Sequence, residues 1–248
     1  MSEHVLKLAN VSVAFGGLMA VNAVSFQVAA GEIVGLIGPN GAGKTTVFNA
    51  VSGYYKPTRG RITFLDQDVT GHAPYELAAK GIGRTFQVVK PFAGLSVLEN
   101  ILVASYLRYP AQAEARSKAQ EVLKFTGLAE RADLPAAGLT LAGRKRLEMG
   151  KALALEPKLL LLDEVVAGLN PTEADQTVEL ILKIRESGVT ILIVEHIMRV
   201  IMKISSRIIV LNYGQMIAQG RPEEVAQDPQ VIEAYLGEGS QAASGSRP

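Results

Sequence analysis

Hydrophobic residues in the first thirty positions of the chain alternate with polar ones, which is typical of β-strands with one buried face. We predict two such strands, Val5–Phe15 and Val24–Val28. Three later runs, Glu32–Ile37, Lys158–Leu162 and Thr190–Val194, are apolar almost throughout. Because strands buried on both faces read this way, these runs predict a parallel sheet in the core.

The middle of the chain, Val88–Glu156, changes to a pattern in which apolar residues recur every three or four positions. Its clearest helical segments are Val97–Tyr106 and Ala111–Phe125. Another helical pattern, Ala174–Ser187, lies between two of the apolar runs and predicts a strand–helix–strand unit. Near the C-terminus, Asn212–Gly214 separates two short strands and predicts a hairpin. These elements together predict an α/β core with a helical insertion.

The composition narrows the classes of partner that this protein could have. The 248 residues include 25 Lys and Arg against 24 Asp and Glu, so the formal net charge is +1. This balance offers no overall attraction for nucleic acid or for an anionic membrane. The basic triplet Arg144–Arg146 is expected to be a solvated helix face, and no nucleic-acid partner is predicted. The lack of cysteine excludes disulfides and thiolate metal sites.

The sequence shows neither a secretory signal nor a spanning segment. Its most apolar stretch, Ile191–Ile204, is interrupted by charged and imidazole side chains. We therefore expect a soluble cytoplasmic protein, whose membrane role would come from a partner.

Residues 38–45 match the G-x-x-x-x-G-K-[ST] pattern of a phosphate-binding loop, with a predicted strand before it and a helix starting near Lys44. The backbone N–H groups of such a loop and the N-terminus of its helix solvate a polyphosphate. Lys44 would place a positive charge at the outer phosphates, and the Thr45 hydroxyl would bind Mg²⁺. The nucleotide-binding residues predicted here are Gly38, Pro39, Asn40, Gly41, Ala42, Gly43, Lys44, Thr45 and Thr46.

Two carboxylates, Asp163 and Glu164, directly follow the apolar run that ends at Leu162. A buried parallel strand delivers such residues at its C-terminal end, where the ligands of open α/β sheets bind. Asp163 would bind Mg²⁺, directly or through water, and Glu164 would act as the general base on an attacking water. With a phosphate loop upstream, the pair predicts nucleotide hydrolysis rather than a solvated turn.

The order of these motifs resembles the nucleotide-binding subunit of an ABC transporter. That order is a phosphate loop, a Gln after a strand, a helical insertion, an apolar strand ending in Asp-Glu, and a His after another strand. The resemblance covers about Val5 to Gly237 and is greatest for the ATPases of branched-chain amino acid importers. The segments that carry it are Phe15–Leu18, Gly38–Asn49, Arg84–Gln87, Ala167–Pro171, Val194–His196 and Ala234–Glu238.

This resemblance implies further roles for single residues. Gln87 would sense Mg²⁺ and the attacking water, and would connect the nucleotide site to a permease contact around Gln87–Leu95. His196 would contact the γ-phosphate, and Phe15 would stack on adenine. Residues Ala167–Asn170 would couple the two nucleotide sites of a dimer. The implied catalytic residues are Glu164, His196 and Gln87, and the implied metal-binding residues are Thr45, Gln87 and Asp163.

One segment, Leu139–Gly143, departs from the usual Leu-Ser-Gly-Gly-Gln signature of that family. Thr140 keeps a hydroxyl for the γ-phosphate of the partner subunit, but Leu141 and Ala142 replace both glycines. Each added Cβ narrows the room for backbone to approach phosphate. A helix expected at Arg144–Leu155 would still point its N-terminal dipole at that anion. We expect a working variant of the signature, and a weakened site is the alternative.

The resemblance implies a fold as well: a P-loop NTPase α/β core with a small antiparallel β-subdomain and an inserted helical subdomain. Residues 1–237 would form one ABC ATPase domain, with the helical part at about 88–156, and residues 238–248 would be a disordered tail. ATP and Mg²⁺ are the implied cofactors.

The implied partners are transmembrane permease subunits, a second ATPase subunit in a homodimer or a heterodimer, and indirectly a solute-binding protein. The complex would lie at the cytoplasmic face of the inner (plasma) membrane, where ATP hydrolysis energises import of branched-chain or other hydrophobic amino acids. Urea or amide import, lipid export, and a soluble ABC ATPase without a permease stay open as alternatives.

Overall fold

The computed structural model describes residues 4–87 and 89–235 of the chain. They fold into two compact units. The first unit contains the chain up to Ala73 and again from Leu192 onward, and the second is Pro74–Ile191. The strands are β1 (His4–Phe15), β2 (Leu18–Ala29), β3 (Ile33–Ile37), β4 (Arg59–Phe64), β5 (Gln67–Asp68), β6 (Ile82–Arg84), β7 (Leu159–Asp163), β8 (Thr190–Val194), β9 (Arg207–Asn212) and β10 (Gln215–Gly220). The α-helices are α1 (Lys44–Val51), α2 (Pro74–Lys80), α3 (Val97–Ser105), α4 (Gln112–Phe125), α5 (Leu141–Leu153), α6 (Pro171–Glu186), α7 (Met198–Ile204) and α8 (Pro222–Ala226).

A four-stranded antiparallel sheet, in the order β2-β1-β4-β5, belongs to the first unit. Leu8 of β1 lies opposite Phe26 of β2 on one side and Ile62 of β4 on the other, and all three are buried. Residues opposite each other point to the same face, so this row forms the inner face of the sheet. Strand β2 is longer than the predicted Val24–Val28. The prediction is too short because register shifts between β2 and β1 interrupt the alternation of apolar and polar residues by which a strand is identified in a sequence.

The first unit also contains strands in the order β10-β9-β3. All five residues of β3 are buried, as its apolar sequence predicts, and Gly35 pairs in parallel with Ile208 of β9. Strands β9 and β10 form the predicted hairpin, whose turn residues Tyr213 and Gly214 both have positive φ. Helix α1 begins at Lys44, where the sequence places it.

In the second unit, β6 and β7 are parallel neighbours, with Gly83 opposite Leu160, and β7 is buried throughout. The predicted helical segments between them are confirmed as α3 and α4, which share an apolar cluster with α5. The buried side chains of that cluster are Val97, Leu98, Ile101, Ala119, Val122, Leu123, Leu128, Ala136, Leu139, Leu147 and Ala154. Strand β8 begins in this unit and ends in the first.

Two helices begin three residues before their predicted starts. Helix α5 begins at Leu141 rather than Arg144 because leucine and alanine favour helix and Thr140 caps the new end. Helix α6 begins at Pro171 rather than Ala174, since Asn170 and Glu173 form a capping box there. Asn170, which the resemblance places in the loop that couples two sites, is therefore a helix cap.

Helices α2, α7 and α8 are not predicted by the sequence patterns above, and each has at most seven residues. The predicted tail at 238–248 lies outside the described residues. Within the described ranges, none of the helices combines the length and the apolarity needed to cross a membrane.

Candidate functional site

The phosphate loop, Gly38–Thr45, follows the buried strand β3 and leads into α1 in the first unit. Gly43 is the N-cap of α1, with φ 99°, and no side chain caps the helix. The loop backbone runs too close to its neighbours for side chains at two positions. A Cβ at Gly38 would lie 2.1 Å from the Leu211 carbonyl oxygen, and one at Gly43 would lie 2.7 Å from the Ala20 carbonyl oxygen. The glycines are therefore required by packing, and the α1 N-terminus can accept an anion.

Lys44 is the first residue of α1 and is only 6% exposed. Its Nζ donates to the carbonyl oxygens of Gly38 at 2.6 Å and Pro39 at 2.8 Å. The loop thus holds its own cation in place. A carbonyl dipole compensates the charge of an ammonium group less completely than an anion does. The Lys44 ammonium group can therefore exchange these carbonyl partners for the oxygens of a bound phosphate.

The other predicted loop residues differ in accessibility. Pro39 and Ala42 are buried, whereas Asn40, Gly41 and Thr45 are exposed. Thr46 is half-buried. The Thr45 hydroxyl, in the first turn of α1, is thus open to solvent and can reach a ligand.

Two more predicted residues of the first unit lie at strand ends. Phe15 ends β1 and is 44% exposed. Its ring lies 5.0 Å from that of Tyr55, at an interplanar angle of 76°. An edge-to-face contact holds one ring in place and leaves face area for a planar ligand. His196 is exposed and lies two residues beyond the end of β8.

In the second unit, β7 ends at Asp163, which is 4% exposed. Its Oδ2 accepts a hydrogen bond from Arg84 Nη2 at 3.3 Å, within a buried ion pair. The Asp163 backbone N–H donates to Thr85 Oγ1 at 3.1 Å. The guanidinium of Arg84 also lies 5.3 Å from the centre of the Phe86 ring. These contacts fix the carboxylate at the end of the strand, as the sequence predicts, and identify Arg84 as its partner.

The structure brings the predicted residues Glu164 and Gln87 together. Gln87 Nε2 donates to Glu164 Oε2 at 2.8 Å. Glu164 has φ 49°, a left-handed conformation that non-glycine residues seldom adopt. Its carbonyl oxygen accepts a hydrogen bond from Lys145 Nζ at 2.6 Å. The backbone and the side chain of Glu164 are therefore each held by a different residue.

The expectation that Arg144–Arg146 is a solvated face is wrong, because Lys145 is only 6% exposed. Arg144 Nε donates to the Leu139 carbonyl and Arg146 Nη2 to Gln176 Oε1, so all three side chains have partners. A signal was present in the sequence: position 145 lies three and four residues from Ala142 and Met149, on a buried stripe of α5.

Thr140 is exposed at the beginning of α5, and its Oγ1 accepts a hydrogen bond from the Gly143 backbone N–H at 3.2 Å. A cavity of about 410 Å³ adjoins this helix end. Its polar lining includes Thr140, Gly143, Arg146 and Gln176. The hydroxyl thus already has a structural function as a helix cap.

Known families and proteins match most of this chain. The family model described as "ABC transporter" matches residues 21–167, and the one described as "Branched-chain amino acid ATP-binding cassette transporter" matches residues 215–240. The chain is 44% identical to the high-affinity branched-chain amino acid transport ATP-binding protein LivG of Salmonella typhimurium, over 96% of this chain and 100% of that protein.

Solved structures give the same picture. The ADP conformation of an ATP-binding cassette of an ABC transporter is similar with a TM-score of 0.87 and 32% identity, over 95% of this chain and 100% of that one. A dimeric ATP-binding cassette bound to ADP and Pi is similar with a TM-score of 0.78 and 27% identity, over 88% of this chain and 98% of that one.

Proposed function

Because this chain belongs to the family of ATP-binding subunits of ABC transporters, we propose that its ATP hydrolysis drives import of branched-chain amino acids through separate permease subunits. The end-to-end match to LivG is the observation that carries this proposal, since it covers that protein completely. The match of residues 215–240 supports the same cargo class.

The phosphate loop is the proposed site for the triphosphate. Its backbone N–H groups and the uncapped N-terminus of α1 would solvate the phosphates, and Lys44 would exchange its carbonyl partners for phosphate oxygens. Phe15, held by Tyr55, would stack on adenine. His196 would donate a hydrogen bond to the γ-phosphate.

The proposed metal-binding residues, Thr45, Gln87 and Asp163, all offer oxygen atoms, which are the ligands that Mg²⁺ prefers. In the described part of the chain, no group of three or more His, Asp or Glu side chains is arranged to hold a metal ion. In nucleotide sites Mg²⁺ keeps waters and phosphate oxygens as ligands and needs few carboxylates. Bound there, Mg²⁺ would neutralise charge on the phosphates.

Glu164 is the proposed general base, which takes a proton from the attacking water. The hydrogen bond from Gln87 orients the carboxylate and supports this role. Because Gln87 begins the segment Gln87–Leu95, we propose that its contact with Glu164 connects hydrolysis to the permease.

The proposed assembly has two ATPase subunits, identical or related, two permease subunits, and a solute-binding protein that reaches them indirectly. We place it at the cytoplasmic face of the inner (plasma) membrane. A single chain carries one phosphate loop and one Leu139–Gly143 segment, so the proposed working form pairs each loop with the segment of the partner.

Glu164→Gln tests the proposed chemistry. We expect this variant to bind ATP as the wild type does, to lose turnover by about 10²-fold or more, and to accumulate as an ATP-bound dimer. ATP hydrolysis, nucleotide binding and size-exclusion chromatography measure the three properties. Unchanged hydrolysis would refute the assignment of the base.

The cargo is tested with membrane proteins that co-purify with the tagged chain. After reconstitution in vesicles, wild type should support ATP-driven uptake of leucine and Glu164→Gln should not. Uptake of urea instead of leucine would replace the proposed cargo. Co-purification of soluble proteins alone would refute the proposal that this chain works with permease subunits.

A further inference from the structure

We infer that Lys145 is a positioning residue for hydrolysis, acting on the backbone of Glu164 from helix α5. This inference rests on the proposed role of Glu164 as the general base. It adds a residue that the sequence motifs leave out, since Lys145 belongs to neither the phosphate loop nor the acidic strand end.

The first observation is the burial of a full positive charge. Lys145 is 6% exposed, and its Nζ donates to the Glu164 carbonyl oxygen at 2.6 Å. Burying an ammonium is costly unless it is hydrogen-bonded, so a buried lysine indicates a specific requirement at its partner. Leucine or methionine would fill the same space on the buried stripe of α5 without that cost.

The second observation is the conformation of the partner. Glu164 has φ 49° and directly follows β7, so it lies where the chain leaves the sheet in a left-handed turn. For a residue with a Cβ this conformation costs about 1–2 kcal/mol and needs external contacts to persist. The bond from Lys145 to the carbonyl is such a contact.

The backbone of Glu164 determines where its carboxylate points. Because the Cα–Cβ direction is set by φ and ψ, a relaxed turn would carry the side chain away from Gln87, which now donates to Oε2 at 2.8 Å. Lys145 and Gln87 thus hold Glu164 at its two ends, one through the main chain and the other through the side chain. Loss of the hydrogen bond from Lys145 to the Glu164 carbonyl should therefore misplace the carboxylate of the base and leave the phosphate loop unchanged.

The test compares Lys145→Met and Lys145→Arg with the control Lys151→Met. Lys151 lies on the same helix and donates to the buried Glu148 at 2.7 Å, so its loss breaks a partly buried contact of α5 away from Glu164. Lys145→Met should lower kcat about ten- to a hundredfold, because misplacing a catalytic group by about 1 Å has effects of this size. The Kd for ATP should stay within about twofold, and Lys145→Arg, which keeps a donor, should recover part of kcat.

Thermal unfolding of all variants separates positioning from stability. Lys151→Met should lose stability similar to that lost by Lys145→Met but keep wild-type kcat. An equal loss of kcat in both variants, or an unchanged kcat in a folded Lys145→Met protein, would overturn the inference.

A double variant separates this inference from the proposed base itself. If Lys145 acts through Glu164, adding Lys145→Met to Glu164→Gln should cause no further loss of single-turnover hydrolysis. A further tenfold loss would show that Lys145 acts by another route. Full activity of Glu164→Gln alone would refute the assignment of Glu164 as the general base, whatever the activity of Lys145→Met.

Discussion

Two lysines in this protein, Lys44 and Lys145, are buried to the same degree, and each donates to main-chain carbonyl oxygens at 2.6 Å. A buried charge requires hydrogen bonds of this kind. Lys44 donates to the phosphate loop, whose glycines have positive φ, and Lys145 donates to the turn at Glu164, which has φ 49°.

Most residues of the proposed site are predicted by local patterns in the sequence. The phosphate loop has a fixed spacing, and the ends of buried strands reveal Asp163 and Glu164, so these residues follow from local pattern. The partners of Lys145 and Arg84 could not be predicted in this way, because they lie 19 and 79 positions away along the chain. Only the packing of α5 and β6 brings Lys145 and Arg84 to the acidic strand end.

The aromatic contact of Phe15 gives a prediction about nucleotide specificity. Phe15→Ala should weaken ATP binding about two- to tenfold, the range expected for the loss of one stacking contact. Binding of inorganic tripolyphosphate, which has no base, should not change. Tyr213→Ala, which removes an aromatic that is 83% exposed, is the matched control. Calorimetry with both ligands decides, and an equal loss for ATP and tripolyphosphate would contradict stacking.

At the scale of elements, the buried strands were predicted best. Strands β3, β7 and β8 are short apolar runs, and their apolar composition predicts their burial on both faces. The predicted range of β2 is too short because the pairing of β2 with β1 is irregular. Helix α7 is not predicted because its seven residues are too few to show a helical period. Helix starts depend on caps such as Thr140 and Asn170, which periodicity does not register.

An ionic contact in the second unit joins the segments that follow α3 and α5 to the middle of α4. Tyr109 Oη, which follows α3, donates to Glu156 Oε1 at 2.7 Å, and Lys118 Nζ of α4 lies 3.0 Å from the same oxygen. The hydrogen bond from Tyr109, and then the contact with Lys118, lower the pKa of Glu156 below its usual 4.5.

A lowered pKa means that the ionised form of Glu156 stabilises the fold. That contribution is present above pH 4.5 and is lost as the pH falls through the folded-state pKa. Because the side chain is half-exposed, we expect Glu156→Gln to cost only about 0.3–0.5 kcal/mol at pH 7, and less at pH 3. Denaturant unfolding at both pH values measures this, with Glu179→Gln as the control. A cost as large at pH 3 as at pH 7 would contradict an ionic origin.

At the scale of the whole molecule, the proposed dimer gives Thr140 two functions that can be separated. Its hydroxyl caps α5, and in the assembly it would meet the γ-phosphate held by the partner. Thr140→Asn keeps a good cap but loses the hydroxyl, whereas Thr140→Ser keeps both.

We therefore expect Thr140→Asn to preserve the melting temperature and ATP binding by the monomer while it slows hydrolysis about tenfold. Thr140→Ser should behave like the wild type. Steady-state ATPase assays and thermal unfolding measure the two effects. Wild-type hydrolysis by Thr140→Asn would show that the hydroxyl does not act on phosphate.

The hydrogen bonds of Lys44 to the carbonyls of Gly38 and Pro39 have a further consequence for turnover. They make the loop an intramolecular competitor for its own lysine, present at a high and constant effective concentration. In the proposed site, an incoming nucleotide would have to take the ammonium from these carbonyls, and a departing one would return it. ADP, which lacks the γ-phosphate charge, would lose this competition sooner than ATP. The empty loop would therefore favour release of the product over release of the nucleotide that can be hydrolysed.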